Sequence, residues 1–515
     1  MQLKIHFISS FLFFGAIAHA TTWSEPTSLS GDYPIESPRI ATNASGDVIV
    51  IQTNLEGDRV IQSSIQYFGD DTWQATSSPS ISLFNPIGPL VGLDDYGNAA
   101  TCFRTYIPGP LNKIYANYLL NGTLTWDEPQ EIFSSSAFIN YDFAMSPNGD
   151  SIILYKANSA NRIFFSRRAH DETLWSTPQE IPGQTHDGFD FKIGMDDEGN
   201  AISIWNSEGN ILFSYYTNST NTWSDPEVIY DSPSYSSNVS LSVDREGNAY
   251  AVWLDNHPPQ GLITYATYFD KRILSWTTPK AISDPKFDVR QPHVNCNNNK
   301  AVVVWSNEPP FGSNRVFQVS ISEKGKNSWG VPKTLAEKKS ISMTRGMIDE
   351  VGNVTVFYNF DNNTPGSHLE LASFSLPYGS QKWTSSTIIS DPGYNADEFS
   401  GLYNFQGKAY LAYSEQYRPL FSSTLAAPPY SPSGSKKNNN FGLVSEFYSQ
   451  LSWKASEQSH IEGVNLFRND ELIEELSAED TKFEEHNLPG EYKTTYKVNA
   501  YDAVSTSPEF TIILR

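Results

Sequence analysis

The chain has 515 residues, more than one ordinary hydrophobic core organises, so two or more domains are expected. Charged residues make up 18% and aromatics 13%, with 32 Gly and 31 Pro, a mix that suits many short strands joined by turns rather than long helices. A formal net charge of −23 repels phosphate backbones and anionic headgroups, which excludes nucleic acid and a polybasic membrane anchor as natural partners.

At the N-terminus, Lys4 is followed by an apolar run from Phe7 to Ala18, and Ala18-His19-Ala20 places small residues at a cleavage site. Residues 1–20 are therefore predicted to be a secretory signal peptide, with an apolar run too short to span a bilayer. No Cys follows the cleavage site, which argues against a lipoprotein. The expected location is secreted, periplasmic or cell envelope, with no membrane insertion once the leader is removed. The only cysteines, Cys102 and Cys296, are far apart in the chain, so no disulfide framework is predicted.

From residue 21 the sequence repeats. Trp23, Trp73, Trp126, Trp175, Trp223, Trp276, Trp329 and Trp383 recur at intervals of 48 to 54 residues. A drifting period of that size marks a repeat architecture whose loops vary while the unit does not. Pro stands three positions after six of these Trp, at Pro26, Pro129, Pro178, Pro226, Pro279 and Pro332. Downstream in each unit, two alternating runs flank a D-x-x-G-N turn, as in LSVDREGNAYAVW ending at Trp253, which reads as a β-hairpin. Six positions after the turn glycine, seven of eight units carry an aromatic: Phe103, Tyr155, Trp205, Trp253, Trp305, Tyr358 and Tyr413. That column is expected to pack between neighbouring units. A third strand and the Trp-x-x-Pro segment complete a four-strand unit, with the proline-bearing strand at the outer edge.

The ends of the repeat predict closure. The mature chain begins almost at once with Trp23, an outer strand lacking its own inner three, whereas the last unit, near 400–425, has three strands and no fourth. Pairing the two seals a ring, which gives an all-β propeller of eight four-stranded blades over 21–425, or seven if one degenerate unit is not a blade. Residues 426–440, AAPPYSPSGSKKNNN, lack periodicity and are expected to be a linker.

Two resemblances follow from these motifs. The polar turn before Trp223, Thr217-Asn-Ser-Thr-Asn-Thr, resembles a worn form of the sialidase Asp-box, and the W-x-x-P and D-x-x-G-N-A signatures resemble bacterial propeller repeats. Residues 441–515, with LSWKAS around Trp453, VNLFRNDELIEEL and LPGEYKTTYKVNAYD, resemble a fibronectin type III module, an immunoglobulin-like sandwich, with Trp453 and Tyr496 at its core positions and Thr494 where many members carry Tyr.

The chemistry is sparser. No metal-ligand spacing, nucleophile elbow, phosphate loop or dinucleotide fingerprint occurs in a suitable context, so no metal, cofactor or catalytic residue is assigned. The sialidase resemblance implies three arginines clamping a carboxylate, and Arg39, Arg290 and Arg345 stand at or near the start of inner strands in three units. Seven residues before the glycine column are Arg39, Asp142, Lys192 and Arg345, with Tyr141, His293 and Tyr394 nearby. These eight form the candidate ligand-binding set, on the face where propellers present their loops. The expected function is non-catalytic recognition of a glycan or protein there. The alternative is a sialidase-like carbohydrate-active hydrolase.

Overall fold

The computed structural model describes residues 23–514 except 25, 30–34, 56, 71, 81–82, 84, 107–110, 158–161, 185–187, 259–260, 298–299, 309–313, 324–326, 362–367, 392–394, 406, 416–420, 426–429, 441–444, 455–460, 470, 487–493, 502–506 and 508–509. The predicted leader, residues 1–20, and Tyr394 of the candidate set lie outside the described residues.

The hairpin turn shows how the repeat sequence becomes structure. In the second unit, Asp94 Oδ1 accepts the amides of Tyr96 at 3.0 Å and Asn98 at 2.7 Å, while Gly97 takes φ 83°. Asn98 then works in two directions. Its Nδ2 donates to Asp94 Oδ2 at 2.8 Å, and its Oδ1 accepts the amide of Asn121, in the turn that follows the third strand, at 3.0 Å. Asn200, Asn248 and Asn353 repeat this bond to Asn218, Lys271 and Tyr378. The motif therefore closes the hairpin and clamps it to the next turn.

Between Thr27 and Leu425 the described strands form eight antiparallel sheets, named here first to eighth by their inner strands. Those are Ile35–Thr42, Pro86–Leu93, Ile139–Met145, Gly188–Met195, Ser236–Val243, Asp288–Cys296, Ile341–Ile348 and Ala396–Tyr403. Each inner strand touches the next, and the eighth touches the first. This ring of sheets about an axis is a β-propeller. The eighth sheet is completed from the other end of the chain, with Thr27 opposite Ser422 and Ser28 opposite Phe421, the pairing expected from the ends of the repeat. Trp23 fastens the seam by donating Nε1 to Ser373 Oγ at 2.9 Å and packing 5.6 Å from Phe357.

Second strands are sealed on both faces because each sheet lies between two others. Val48–Asn54, Ser151–Ala157, Ala201–Ser207 and Ala409–Glu415 are buried at every position. The aromatic column is buried throughout and packs on the preceding sheet, as where Trp205 meets Leu154 and Phe165. Inner strands are instead mostly partly exposed, with only one to three buried positions each. The outer strands are shorter than the sequence suggests. In the fourth and fifth sheets the fourth strand breaks at the proline, giving Thr222–Trp223 then Glu227–Tyr230, and Ser275–Trp276 then Lys280–Ala281, since Pro has no amide for the ladder.

One expectation is overturned. The supposed linker holds a strand, Tyr430–Asn440, paired with Ser445–Lys454. Its polar composition hides it because ladder bonds need only backbone, while the alternation that betrays a strand arises only where one face is buried. These two strands and Lys482–Glu485 form one sheet; Glu471–Ser477, Gly463–Arg468, Thr494–Tyr501 and Phe510–Leu514 form another. Leu451 and Trp453 of the first share a core with Val464, Leu466, Tyr496 and Val498 of the second.

Candidate functional site

Seven of the eight inner strands are irregular, five of them at one shared place and two slightly earlier along the strand. Register shifts interrupt all but the third of them, between Glu36 and Arg39, Ile87 and Leu90, Phe189 and Lys192, Ser237 and Ser240, Arg290 and His293, Ile341 and Met343, and Ala396 and Glu398. Five carry a left-handed residue there: Ser37, Gly88, Asp190, Asn238 and Gln291. A bulge re-aims the side chains that follow it, and no alternation pattern in the sequence reports it.

Around this level of the ring, side chains of one inner strand satisfy amides of the next. Asp142 Oδ2 accepts Ile193 N at 3.0 Å, Asp190 Oδ2 accepts Val239 N at 2.8 Å, and Ser240 Oγ accepts Val294 N at 3.2 Å. Asn295 Oδ1 takes Ile348 N at 3.0 Å, and a short bond from Ser37 N to Glu398 Oε2 carries the pattern across the seam. Much of the polar character that marked this face in the sequence therefore holds the ring together.

Within that frame the structure gathers some candidates and disperses others. Arg39, Asp142, Lys192, His293 and Arg345 occupy one layer of the ring, opposite Ile51, Leu154, Ile204, Val304 and Phe357 of their second strands. Burial, together with the positive charge of Arg39 and against the pull of Glu398, lowers the Arg345 pKa to about 10. Burial raises the Asp142 carboxyl, opposed chiefly by Lys192 and also by Arg39. His293 Nδ1 accepts the Gly346 amide at 3.4 Å, and burial with Arg345 nearby holds the ring neutral, its pKa well below the usual value. Arg39 Nη1 donates to Pro38 O at 2.8 Å and Arg345 Nη1 to Thr344 O at 2.9 Å. Neither guanidinium reaches a carboxylate among the described residues, unlike those of Arg59, Arg162, Arg245, Arg272, Arg315 and Arg468.

Tyr141 and Arg290 behave differently. The Tyr141 hydroxyl donates to backbone carbonyls of the second sheet, Gly88 O in a short bond and Ile87 O at 3.3 Å, and burial pushes its pKa up. A phenol so placed is a strut, and the shift is opposite to the one a nucleophile needs. Arg290 stands before its bulge, about half exposed, with Nε 3.0 Å from Glu308 Oε2, and Glu308 is shared with Arg315. It lies in a separate ion-pair cluster, so the triad of Arg39, Arg290 and Arg345 does not assemble around one pocket.

Arg245, which the sequence did not single out, crosses the other end of the axis. It follows the turn residue Asp244 of the fifth sheet, pairs through Nε with Asp197 Oδ1 of the fourth at 2.7 Å, and makes a short bond to Asp95 of the second. Its guanidinium also lies 4.7 Å from the ring centre of Phe405 in the eighth. Turns join around it, Asp95 Oδ1 accepting Ala44 N at 2.8 Å, Asp95 N donating to Pro147 O at 2.8 Å, and Asp197 N to Arg245 O at 3.1 Å. One turn residue in isolation carries no signal that it meets three other sheets.

Among the described residues no group of three or more His, Cys, Asp and Glu is placed to hold a metal ion. No family model matches the chain, and no curated protein matches it. Among solved structures, it is similar to the Dos1 propeller at 9% identity and a TM-score of 0.46, covering 80% of this chain and 96% of that one. It is also similar to an ulvan lyase of a polysaccharide lyase family, at 11% and 0.44 over 68% and 95% of the two chains. A third is the β-propeller domain of the trilobed protease from Pyrococcus furiosus, at 13% and 0.39 over 70% and 98%.

Proposed function

We propose that this chain is an exported, non-catalytic binding protein, an eight-bladed propeller followed by a fibronectin type III-like sandwich, which takes a glycan or protein ligand on the inner-strand face. The observation that carries the reading is the state of Arg39 and Arg345. Two half-buried guanidinium groups stand in one layer of the inner strands and reach no carboxylate among the described residues, in a chain whose net charge is −23. Removing cations from water without pairing them is costly, so such a pair is explained best by a ligand that supplies the missing acceptors.

The rival reading, a sialidase-like hydrolase, has less support. It needs a third arginine at the pocket and an ionisable tyrosine, whereas Arg290 is engaged with Glu308 and the Tyr141 hydroxyl with backbone carbonyls. A glycan array probed with the whole mature protein and with Arg39→Ala and Arg345→Ala separates the readings. Binding lost in both variants, without turnover of sialosides, is the expected result. Binding that both variants retain removes this face from consideration, and sialoside turnover replaces the non-catalytic reading with the enzymatic one.

A further inference from the structure

Two Asn-Gly pairs occur in the chain, Asn121-Gly122 and Asn148-Gly149, and the fold treats them oppositely. Asparagine before glycine is open to self-modification, because no side chain on the glycine hinders its amide nitrogen from attacking the asparagine Cγ. At Asn148 the approach is closed. Its Oδ1 accepts the amide of Asp150 at 3.0 Å and, in a short bond, the Ser146 hydroxyl, while the Gly149 amide donates to Ser146 O at 2.9 Å. Gly149 is buried, and a Cβ on it would stand 2.9 Å from Asp94 Oδ2. Asn121 and Gly122 are instead exposed, in the turn that follows the third strand of the second sheet, Asn112–Leu119. That turn is closed one residue later, by Thr123 N to Leu120 O at 3.1 Å and Thr123 Oγ1 to the same carbonyl at 2.7 Å. The Gly122 amide carries no hydrogen bond among the described residues, and a Cβ on Gly122 meets nothing within 4 Å.

We propose that Asn121 is a self-modifying site, at which the Gly122 nitrogen converts the side-chain amide to a carboxylate with solvent water as the only co-reactant. The Gly122 amide gives its proton to solvent base, and its nitrogen forms a bond to Asn121 Cγ. The bond from Cγ to Nδ2 breaks, the leaving nitrogen takes a proton from water and departs as ammonia, and a five-membered succinimide remains. Water then adds to one of the two ring carbonyls. Opening on one side leaves an ordinary aspartate; opening on the other leaves an isoaspartate, with the backbone running through the former side chain. No atom is oxidised or reduced.

The change strikes a clamp. Asn121 Nδ2 donates to Tyr96 O at 2.7 Å and Asn121 N to Asn98 Oδ1 at 3.0 Å, the bonds that tie this turn to the hairpin of the second sheet. An ionised carboxylate only accepts hydrogen bonds, so in the product an acceptor faces the Tyr96 carbonyl where a donor stood. The isoaspartate form also adds a methylene to the backbone and moves the amide that Asn98 accepts. Asp95, next to Tyr96, pairs with Arg245 of the fifth sheet and accepts Ala44 N of the first, so the hairpin that loosens is one that joins other sheets.

The test ages the whole mature protein in mildly alkaline and in mildly acidic buffer and follows both pairs by peptide mass mapping, with isoaspartate detected by an isoaspartyl methyltransferase. Asn121 is expected to convert more than about tenfold faster than Asn148, where three hydrogen bonds must break first. Conversion is expected to be faster in the alkaline buffer, because the nucleophile is the deprotonated amide. Hydrogen exchange is expected to rise in the hairpin 94–98 of aged protein and of fresh Asn121→Asp, and not in the matching hairpin 196–200 of the fourth sheet. Asn121→Gln, whose longer side chain disfavours the ring, is expected to stay unmodified. Gly122→Ala, whose added carbon has open space, replaces it if it does not fold by circular dichroism, and is expected to slow conversion. An unchanged Asn121 in folded aged protein, or equal conversion at Asn148, overturns the proposal. Conversion at the wild-type rate in Gly122→Ala overturns the role of the Gly122 nitrogen, and conversion that leaves exchange at 94–98 unaltered overturns the loss of the clamp.

Discussion

Single side chains in this protein are selected by where the repeat puts them, which makes departures from the repeat informative. Gln52 occupies the aromatic column in the first unit, is 1% exposed, and has no partner for its carboxamide among the described residues. Burying an unpaired amide costs about 1–3 kcal/mol, so Gln52→Met is expected to stabilise the protein by about 1 kcal/mol, read as a higher urea midpoint at unchanged m-value. Asp349 is a second case. Its Oδ1 accepts the amides of Gly352 and Asn353, both at 2.7 Å, yet burial pushes its pKa up to about 6. The folded carboxyl holds its proton more tightly than the unfolded one does, so this group's contribution is largest below about pH 4 and is lost as pH rises to about 6. Asn already serves at the matching turn positions Asn43, Asn297 and Asn404. Asp349→Asn is therefore expected to remove this pH-dependent loss, with the variant gaining on wild type between pH 4 and 6 in denaturant titrations.

At the scale of elements, the hairpin turn is the unit of construction, and its glycine is where it is most exposed to damage. Gly199 has φ 78°, and a Cβ there stands 2.5 Å from both Asn218 Nδ2 and Asp150 Oδ2. Those two atoms form a 2.7 Å bond joining the fourth sheet to the third, so the added carbon meets a fixed pair with little room to yield. Gly199→Ala is expected to cost about 1–3 kcal/mol by thermal or chemical denaturation. Gly57 also has positive φ but meets nothing within 4 Å, so Gly57→Ala should cost less, by the amount of the steric term. The comparison separates backbone strain from collision between sheets.

For the whole molecule, the seam is the joint where a sheet is completed from the other end of the chain, and its outer strand is held by a two-residue pairing and by Trp23. Trp23→Ala removes both a hydrogen bond to Ser373 and packing on Phe357, and is expected to cost about 3 kcal/mol, the lower end of the range for a buried aromatic since Trp23 is only partly covered. Hydrogen exchange should then rise first in the strand Phe421–Leu425, whose outer edge is released, ahead of the fourth sheet across the ring. Uniform exchange in every sheet would sink the idea of a local seam.

The period, the hairpins, the buried aromatic column and the pairing of the two ends were all legible in the residues, because each depends on a local signal: a turn glycine, an alternation, or a missing strand at one end balanced by a surplus at the other. The strand Tyr430–Asn440 was not legible, since backbone pairing leaves no mark on a polar sequence. The candidate layer was half legible. Its positions came from counting back from Gly46, Gly149, Gly199 and Gly352, but which cations are spoken for came only from coordinates, where Arg290 finds Glu308 and Arg39 and Arg345 find their own strand carbonyls. Arg245 was invisible for the same reason. The sequence by itself determined a ring of short-stranded sheets, because repetition and turn chemistry are properties of neighbours along the chain. Only the tertiary structure decided which charges are paired and which end of the axis is shut, because charge pairing depends on distance in space, and ring closure brings together residues as remote as Asp95 and Arg245.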